Sequence, residues 1–389
     1  MTNCRLAFPA YIRLSARCAR APTGNKRVQE MSDDFDTSAA WRVPDLMADR
    51  HWVFPIDEAA RAQMAHSVKQ AFDPARPLFD YSKDDFDLGP GFAVVDAAAH
   101  KAYFGGGFSL VKGLPRDLLS PAEYKILAWA IGLHLGVPRP QGVASQYVSE
   151  VRAAGMNYRS AAGRGYNSNA ELDFHTDGCD LVGLACYNKA KSGGQSRISS
   201  SVTAWQILSD ERPDLAEVAR QAFHFGRNQE EAPDEGPYYT QPLFDFADGR
   251  LFGKWNRNRM RTAQELKGVP RLSEAQKECT DVLDEILRRP EVMFTMWLEP
   301  GDLQFLNNHT MLHSRTRFED GDDPDRQRLL YRIWIAPPNS VRLPDSWADF
   351  FRTTEPGTVR GGIRGHQHDE TCKEFERRQA KSMGMPPPT

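Results

Sequence analysis

Apolar positions recur along the chain at two different spacings, and each spacing predicts an element type. Ile56, Ala59, Ala60, Met64 and Val68 fall on one side of a helix, which a proline- and aspartate-rich connection follows as far as Pro90. Ser120-Pro121-Ala122-Glu123 opens a second helix with a capping box and a proline at the first position; it should end near Gly136. Segments 203–208 and 214–223, separated by Pro213, read as helices, as does the stretch behind Ser273 through Cys279, Val282, Leu283, Ile286 and Leu287. Extended runs occupy 107–114, 181–187, 197–200, 292–298, 303–306 and 328–335. Residues 225–260 form a loop-rich stretch holding Tyr238, Tyr239, Phe244, Trp255 and Arg257. It is either a lid over a site or a lobe burying its own aromatics. The pattern predicts a mainly β protein with flanking α-helices.

Two patterns carry chemistry. In Phe174-His175-Thr176-Asp177 an extended backbone would turn His175 and Asp177 to one face, about 7 Å apart, with Thr176 on the other. A distant histidine in Asn308-His309-Thr310-Met311-Leu312-His313-Ser314-Arg315 would complete two imidazoles and one carboxylate around a metal with open coordination positions. Roughly 0.8 His-x-Asp triplets are expected by chance in such a chain, so context must decide. His309 and His313 both compete for the third place. The second pattern is 328–335, where Arg328, Leu330, Arg332 and Trp334 share a face. A solvated face seldom alternates arginine with leucine and tryptophan, and a buried guanidinium calls for an anion, which a dicarboxylate would supply twice.

His-x-Asp, Gly193-Gly194-Gln195-Ser196, the distal histidine and Arg328-x-x-x-Arg332, in this order, resemble the taurine dioxygenase (TauD/TfdA) family of iron(II)/2-oxoglutarate-dependent oxygenases, over about residues 164–337. The His-Ser-Arg context favours His313 over His309. Carried over by position, the resemblance implies that His175, Asp177 and His313 bind Fe(II). It implies that Arg332 and the Ser196 hydroxyl hold the distal carboxylate of 2-oxoglutarate, while Arg328 neighbours its C1 carboxylate. Ser196 stands where relatives usually have threonine, and the acidic insert 319–323 lengthens the loop before Arg328. The implied fold is a double-stranded β-helix, or jelly roll. The implied reaction oxidises, most often hydroxylates, a small-molecule substrate with dioxygen while 2-oxoglutarate becomes succinate and carbon dioxide; the carboxylate of Asp177 disfavours halogenation. Many relatives are homo-oligomers. Two rival expectations are a cupin-like metal enzyme without 2-oxoglutarate and a noncatalytic jelly-roll binding protein.

If the approach to the ligand pair is extended, Asn169, Glu171 and Asp173 share its face, and Glu171 would suit an amine or quaternary ammonium substrate. Tyr166, Tyr187 and Trp255 could add cation-π contacts. Bulk properties narrow the remaining classes. The 389 residues, 40% hydrophobic, suffice for one large core, and the net charge of -3 gives no basic footprint for nucleic acid. No apolar run reaches the ~18 residues of a membrane span. The six cysteines lack disulfide or zinc spacing, which suits a reducing, cytoplasmic setting. Residues 1–30 carry six basic side chains and no acid before Glu30, like a mitochondrial presequence, although Met31 would serve as an alternative start. The expected organisation is a disordered or presequence-like extension at 1–30, one oxygenase domain at 31–337, and a solvated C-terminal tail at 338–389 in which His366, His368 and Asp369 bind no metal.

Overall fold

The strand Leu329–Ala336 lies inside the larger of the two main sheets and separates a helical layer from a cavity. Its residues alternate accordingly. Leu329, Tyr331, Ile333 and Ile335 join the main apolar core, while Leu330, Arg332 and Trp334 line the cavity. The structure is a computed structural model that describes residues 35–153 and 167–388. Residues 1–30 and Tyr166 therefore lie outside the described residues.

Edge to edge, the larger sheet runs Val53–Pro55, Phe108–Lys112, Leu303–Asn307, Leu181–Asn188, Leu329–Ala336 and Val137–Pro138, with Val148–Val151 also paired to Leu329–Ala336. Its first pair is parallel and the rest are antiparallel. The smaller sheet runs Phe294–Met296, Ser196–Ser200, Met311–Arg315 and Leu172–His175, all antiparallel. The chain is thus mostly β with helices, as expected.

Helices Glu58–Ala71, Gly89–Phe104 and Pro121–Leu135 share the core behind the larger sheet. The capping box is formed: Glu123 N–H donates to Ser120 Oγ at 3.3 Å, and Ser120 N–H to Glu123 Oε2 at 2.8 Å. Pro121–Leu135 is apolar on nearly every side because it is enclosed by the sheet on one flank and other helices on the rest. Gly89–Phe104 begins where the proline-rich connection was expected to end, with Pro90 in its first turn.

Three expectations need correcting. The helix after Pro213 stops at Ala219, because Phe223–Gly226 is a strand paired with Tyr238–Gln241. The stretch read as loop is built of two hairpins and the helix Arg257–Ala263; the second hairpin, Phe244–Ala247 with Arg250–Gly253, turns at Asp248-Gly249, both with positive φ. The segment after Pro337 is not a solvated tail. Trp347, Phe350, Phe351 and Arg360 are buried, and in the helix Glu370–Ser382 Phe375 stacks on Phe79 at 4.7 Å and meets Trp129 at 5.2 Å. Its charges mislead a reading by composition because they are paired: Glu376 accepts from Tyr147 at 2.6 Å, meets Arg139 at 2.8 Å and holds His368 at 3.2 Å. Among the described residues no helix is long and apolar enough to cross a membrane.

Candidate metal centre

Antiparallel pairing sets His175 directly across from His313 in the smaller sheet, with ring centroids 4.2 Å apart. Asp177 follows two residues after His175, just past the strand end. Between them Thr176 is held by Trp255: its N–H donates to the Trp255 carbonyl at 2.8 Å and its hydroxyl to the same oxygen at 3.3 Å. Asp177 Oδ1 lies 3.9 Å from His175 Nε2 and Oδ2 lies 3.8 Å from His313 Nε2, and one ligand atom from each residue falls within 4.8 Å of the others. His309 belongs elsewhere, bound through Nε2 to the buried Asp180 at 2.9 Å, which Arg360 also pairs.

The larger sheet holds the carboxylate in place. Arg332 Nη1 donates to both Asp177 oxygens at 3.1 Å, and Trp334 Nε1 donates to Oδ2 at 3.0 Å. Gln141 fixes Arg332 in turn, accepting from its Nε at 2.9 Å. His175 Nδ1 bonds the Asp173 carbonyl at 3.0 Å, which orients the ring. Burial is the largest influence on His175, Asp177 and His313. It lowers the His313 ring to about 3, with His175 adding to the effect, and lowers His175 against the pull of Asp177. Burial would raise Asp177, but Arg332, then His313 and His175, and the Trp334 hydrogen bond bring it to about 2. The donor set is therefore two neutral imidazoles and one carboxylate beside open space, which fits a divalent first-row metal with free positions.

Arg328 shares the face of Arg332, as its spacing predicts, but has a different environment. Its guanidinium is buried, donates to the Val151 carbonyl at 3.3 Å and lies 5.1 Å over Phe318; no carboxylate comes within 4 Å of it among the described residues. Burial lowers it to about 10. Gly194 has φ +83°, and a Cβ there would lie 3.3 Å from Arg328 Nε, so glycine leaves the guanidinium room. Ser196 lines the same cavity and donates to Gln304 Oε1 at 3.0 Å.

None of the described residues expected near the substrate, Asn169, Glu171, Asp173, Tyr187 and Trp255, lines the cavity. Asn169 and Glu171 are exposed, and Glu171 pairs with Arg197 at 2.7 Å and Arg288 at 3.5 Å. The strand begins only at Leu172, so the alternation that would have aimed them inward does not extend back to them. Trp255 is buried, and it contributes its carbonyl to Thr176 rather than its ring to the cavity.

Residues 225–260 nevertheless line the cavity, through side chains that sequence reasoning passed over. A bridge between His175 and Asn256 ties this region to the candidate metal site and brings Lys254 alongside Asp177, its Nζ 3.4 Å from the Asp177 carbonyl. Lys254 is lowered to about 7, first by burial and then by Arg259. Asn228, Tyr239 and the Arg259–Glu230 pair, at 2.5 Å, complete this wall, and Phe350 of the C-terminal segment closes it. No periodicity marks these positions, because hairpin geometry and not a continuous face brings them together.

The family model described as "Taurine catabolism dioxygenase TauD, TfdA family" matches residues 74–334. FR-33289 synthase of Streptomyces rubellomurinus (strain ATCC 31215) is 27% identical over 311 residues, covering 79% of this chain and 92% of that protein. The taurine hydroxylase-like protein SAT17 of Stachybotrys chartarum (strain CBS 109288 / IBT 7711) is 24% identical over 364 residues, covering 89% and 88%. Among solved structures, asparagine oxygenase (AsnO) aligns with a TM-score of 0.57 at 15% identity, over 79% of this chain and 99% of that one. The non-heme iron oxygenase OrfP, in complex with Fe and alpha-ketoglutaric acid, aligns at 0.52 and 16%, over 78% and 100%. At such identities the two structures establish a shared fold.

Proposed function

The chain belongs to the TauD/TfdA family of dioxygenases, and from that premise we propose that it is an Fe(II)/2-oxoglutarate-dependent oxygenase that hydroxylates a small organic substrate. One observation carries the reading: three converging ligand atoms within 4.8 Å stand in a cavity that also holds Arg328, a buried arginine with no carboxylate partner among the described residues. Relatives agree with it, since asparagine oxygenase has been solved with Fe(II), 3-hydroxyasparagine and succinate. When bound, iron chelated by 2-oxoglutarate supplies the oxidising power, dioxygen giving one atom to succinate as carbon dioxide leaves and the other to the substrate hydroxyl.

His175, Asp177 and His313 hold the metal. Arg332 and Trp334 keep Asp177 ionised and oriented, and Gln141 keeps Arg332 in place. For the two arginines we propose the reverse of the roles expected from sequence. Arg332 touches Asp177 and would therefore neighbour the C1 carboxylate of the cosubstrate. Arg328 and Ser196, which line the same cavity, would hold the other carboxylate of the diacid. Burial of both guanidinium groups strengthens these contacts by excluding water.

The two sheets, one giving the histidines and the other the arginines, support the finer reading of a double-stranded β-helix. We take residues 36–388, C-terminal segment included, as one oxygenase domain. Four buried free cysteines among the described residues suit a reducing compartment such as the cytoplasm. The test is an anaerobic titration of metal-free protein with Fe(II) and then 2-oxoglutarate, following the weak visible absorption of the chelate. The band should appear in the wild type and be absent in His175→Ala; iron binding with no band would return the reading to a cupin-like enzyme.

A further inference from the structure

The cavity wall also contains a lysine that nothing in the reaction chemistry uses. Lys254 is buried, with 5% of its surface exposed. Among the described residues no carboxylate lies within 4 Å of its Nζ, and its one hydrogen bond is the 3.4 Å contact to the Asp177 carbonyl. An ammonium has three donors, and burying it with most of them unmet is costly unless a further partner arrives. Its other neighbours are the rings of Phe350, at 5.1 Å, and Tyr239, at 5.7 Å, which orient a cation but accept no strong hydrogen bond. The Tyr239 hydroxyl is also buried, also without a hydrogen-bond partner among the described residues, and part of a side chain lining the same cavity.

The remaining cations of the cavity are already committed. Arg259 is paired with Glu230 at 2.5 Å and Arg332 with Asp177 at 3.1 Å. Arg315 donates to the carbonyls of Ser168 and Ala170 at 2.6 Å. Arg328 faces the cosubstrate. Among the described residues of the cavity, Lys254 alone is left over, beside the Asp177 carbonyl.

We propose that Lys254 is a specificity-determining residue that binds an oxyanion on the substrate, with the Tyr239 hydroxyl as a second donor. The inference rests on the reaction class proposed above and names the chemistry of its substrate: a small molecule carrying a carboxylate, sulfonate or phosphonate, held by Lys254 close enough to Asp177 to present a neighbouring C–H bond to the metal. It replaces the cationic substrate that Glu171 suggested.

The test uses wild type, Lys254→Met, which keeps the apolar stem, and Lys254→Arg, each loaded anaerobically with Fe(II) and 2-oxoglutarate. Ethylphosphonate, ethanesulfonate, butyrate, neutral butyramide and butylammonium are titrated in turn while the chelate band is followed. At least one of the three oxyanions should shift the wild-type band, and which one does so identifies the acid group. Its half-saturation should rise about tenfold or more in Lys254→Met and recover largely in Lys254→Arg, the size expected for one charge-assisted contact. The inference is overturned if no oxyanion shifts the band, if butylammonium or butyramide does so better, or if Lys254→Met leaves the half-saturation unchanged. It is also overturned if that variant weakens 2-oxoglutarate itself, which would place Lys254 in the cosubstrate site. A wild type that shows no chelate band defeats the reaction class first and the inference with it. Should Lys254→Met fail to fold, the anion-over-cation preference of the wild type still decides.

Discussion

Replacing Arg328 by methionine should separate cosubstrate binding from folding. In the wild type without 2-oxoglutarate the guanidinium is buried against the Val151 carbonyl and the Phe318 ring, with no carboxylate within reach among the described residues. Methionine of similar length should therefore cost the metal-free fold little, within about 1 kcal/mol, because a desolvated charge disappears together with its single carbonyl contact. Cosubstrate binding should suffer far more. A guanidinium holding a carboxylate with two charge-assisted hydrogen bonds contributes about 3 kcal/mol, which corresponds to an increase of roughly 150-fold in the 2-oxoglutarate needed for half-saturation. The assay is the anaerobic Fe(II)/2-oxoglutarate chelate titration, with thermal melting of the metal-free protein alongside. Arg332→Met should behave in the opposite way. It strips Asp177 of its buried partner, so the metal-free protein should lose about 3–5 kcal/mol, and saturating Fe(II) should restore part of that loss by supplying a new cation. If Arg328→Met left the 2-oxoglutarate titration unchanged while Arg332→Met alone shifted it without destabilising the metal-free protein, the exchanged roles argued above would be wrong.

Glu171→Gln should leave the substrate half-saturation and the melting temperature nearly as they are, since an exposed pair with Arg197 contributes about 0–1 kcal/mol; a large change in substrate affinity would return Glu171 to the site. Acid should destabilise the metal-free protein well above the carboxylate range. His313 ionises at about 3 when folded against an ordinary 6.5, so between those values the unfolded chain binds the extra proton, and stability falls as pH drops from 6.5 toward 3. A pH series of chemical denaturation on wild type and His313→Gln checks this: the variant's profile should be flatter over that window, and identical profiles would count against a neutral buried ring. Phe375→Ala should cost about 3–5 kcal/mol by emptying the space between Phe79, Trp129 and Tyr147, measured as a lower midpoint in denaturant. An unchanged midpoint would mean that the C-terminal helix is dispensable to the core.

What the sequence determined by itself is what short-range geometry fixes. A period of two over 328–335 set Arg328 and Arg332 on one face with Leu330 and Trp334, and the structure keeps that alternation. Serine, proline and glutamate at 120, 121 and 123 set the start of a helix. The order of His175, Asp177, Ser196, His313 and the two arginines was enough to suggest the family. Tertiary structure decided what depends on which surfaces meet. His309 and His313 are four residues apart and chemically alike, yet cross-strand register places only His313 opposite His175, while His309 falls in the turn beside Asp180. Glu171 stays out of the cavity and Lys254 enters it for the same reason: the strand starts too late to aim Glu171 inward, and the pairing of Asn256 with His175 brings Lys254 to the cavity from about eighty residues away. The C-terminal segment looked like solvated chain because its composition is charged. It packs into the fold because those charges find partners on distant elements, and pairing between distant elements leaves no periodicity in the sequence.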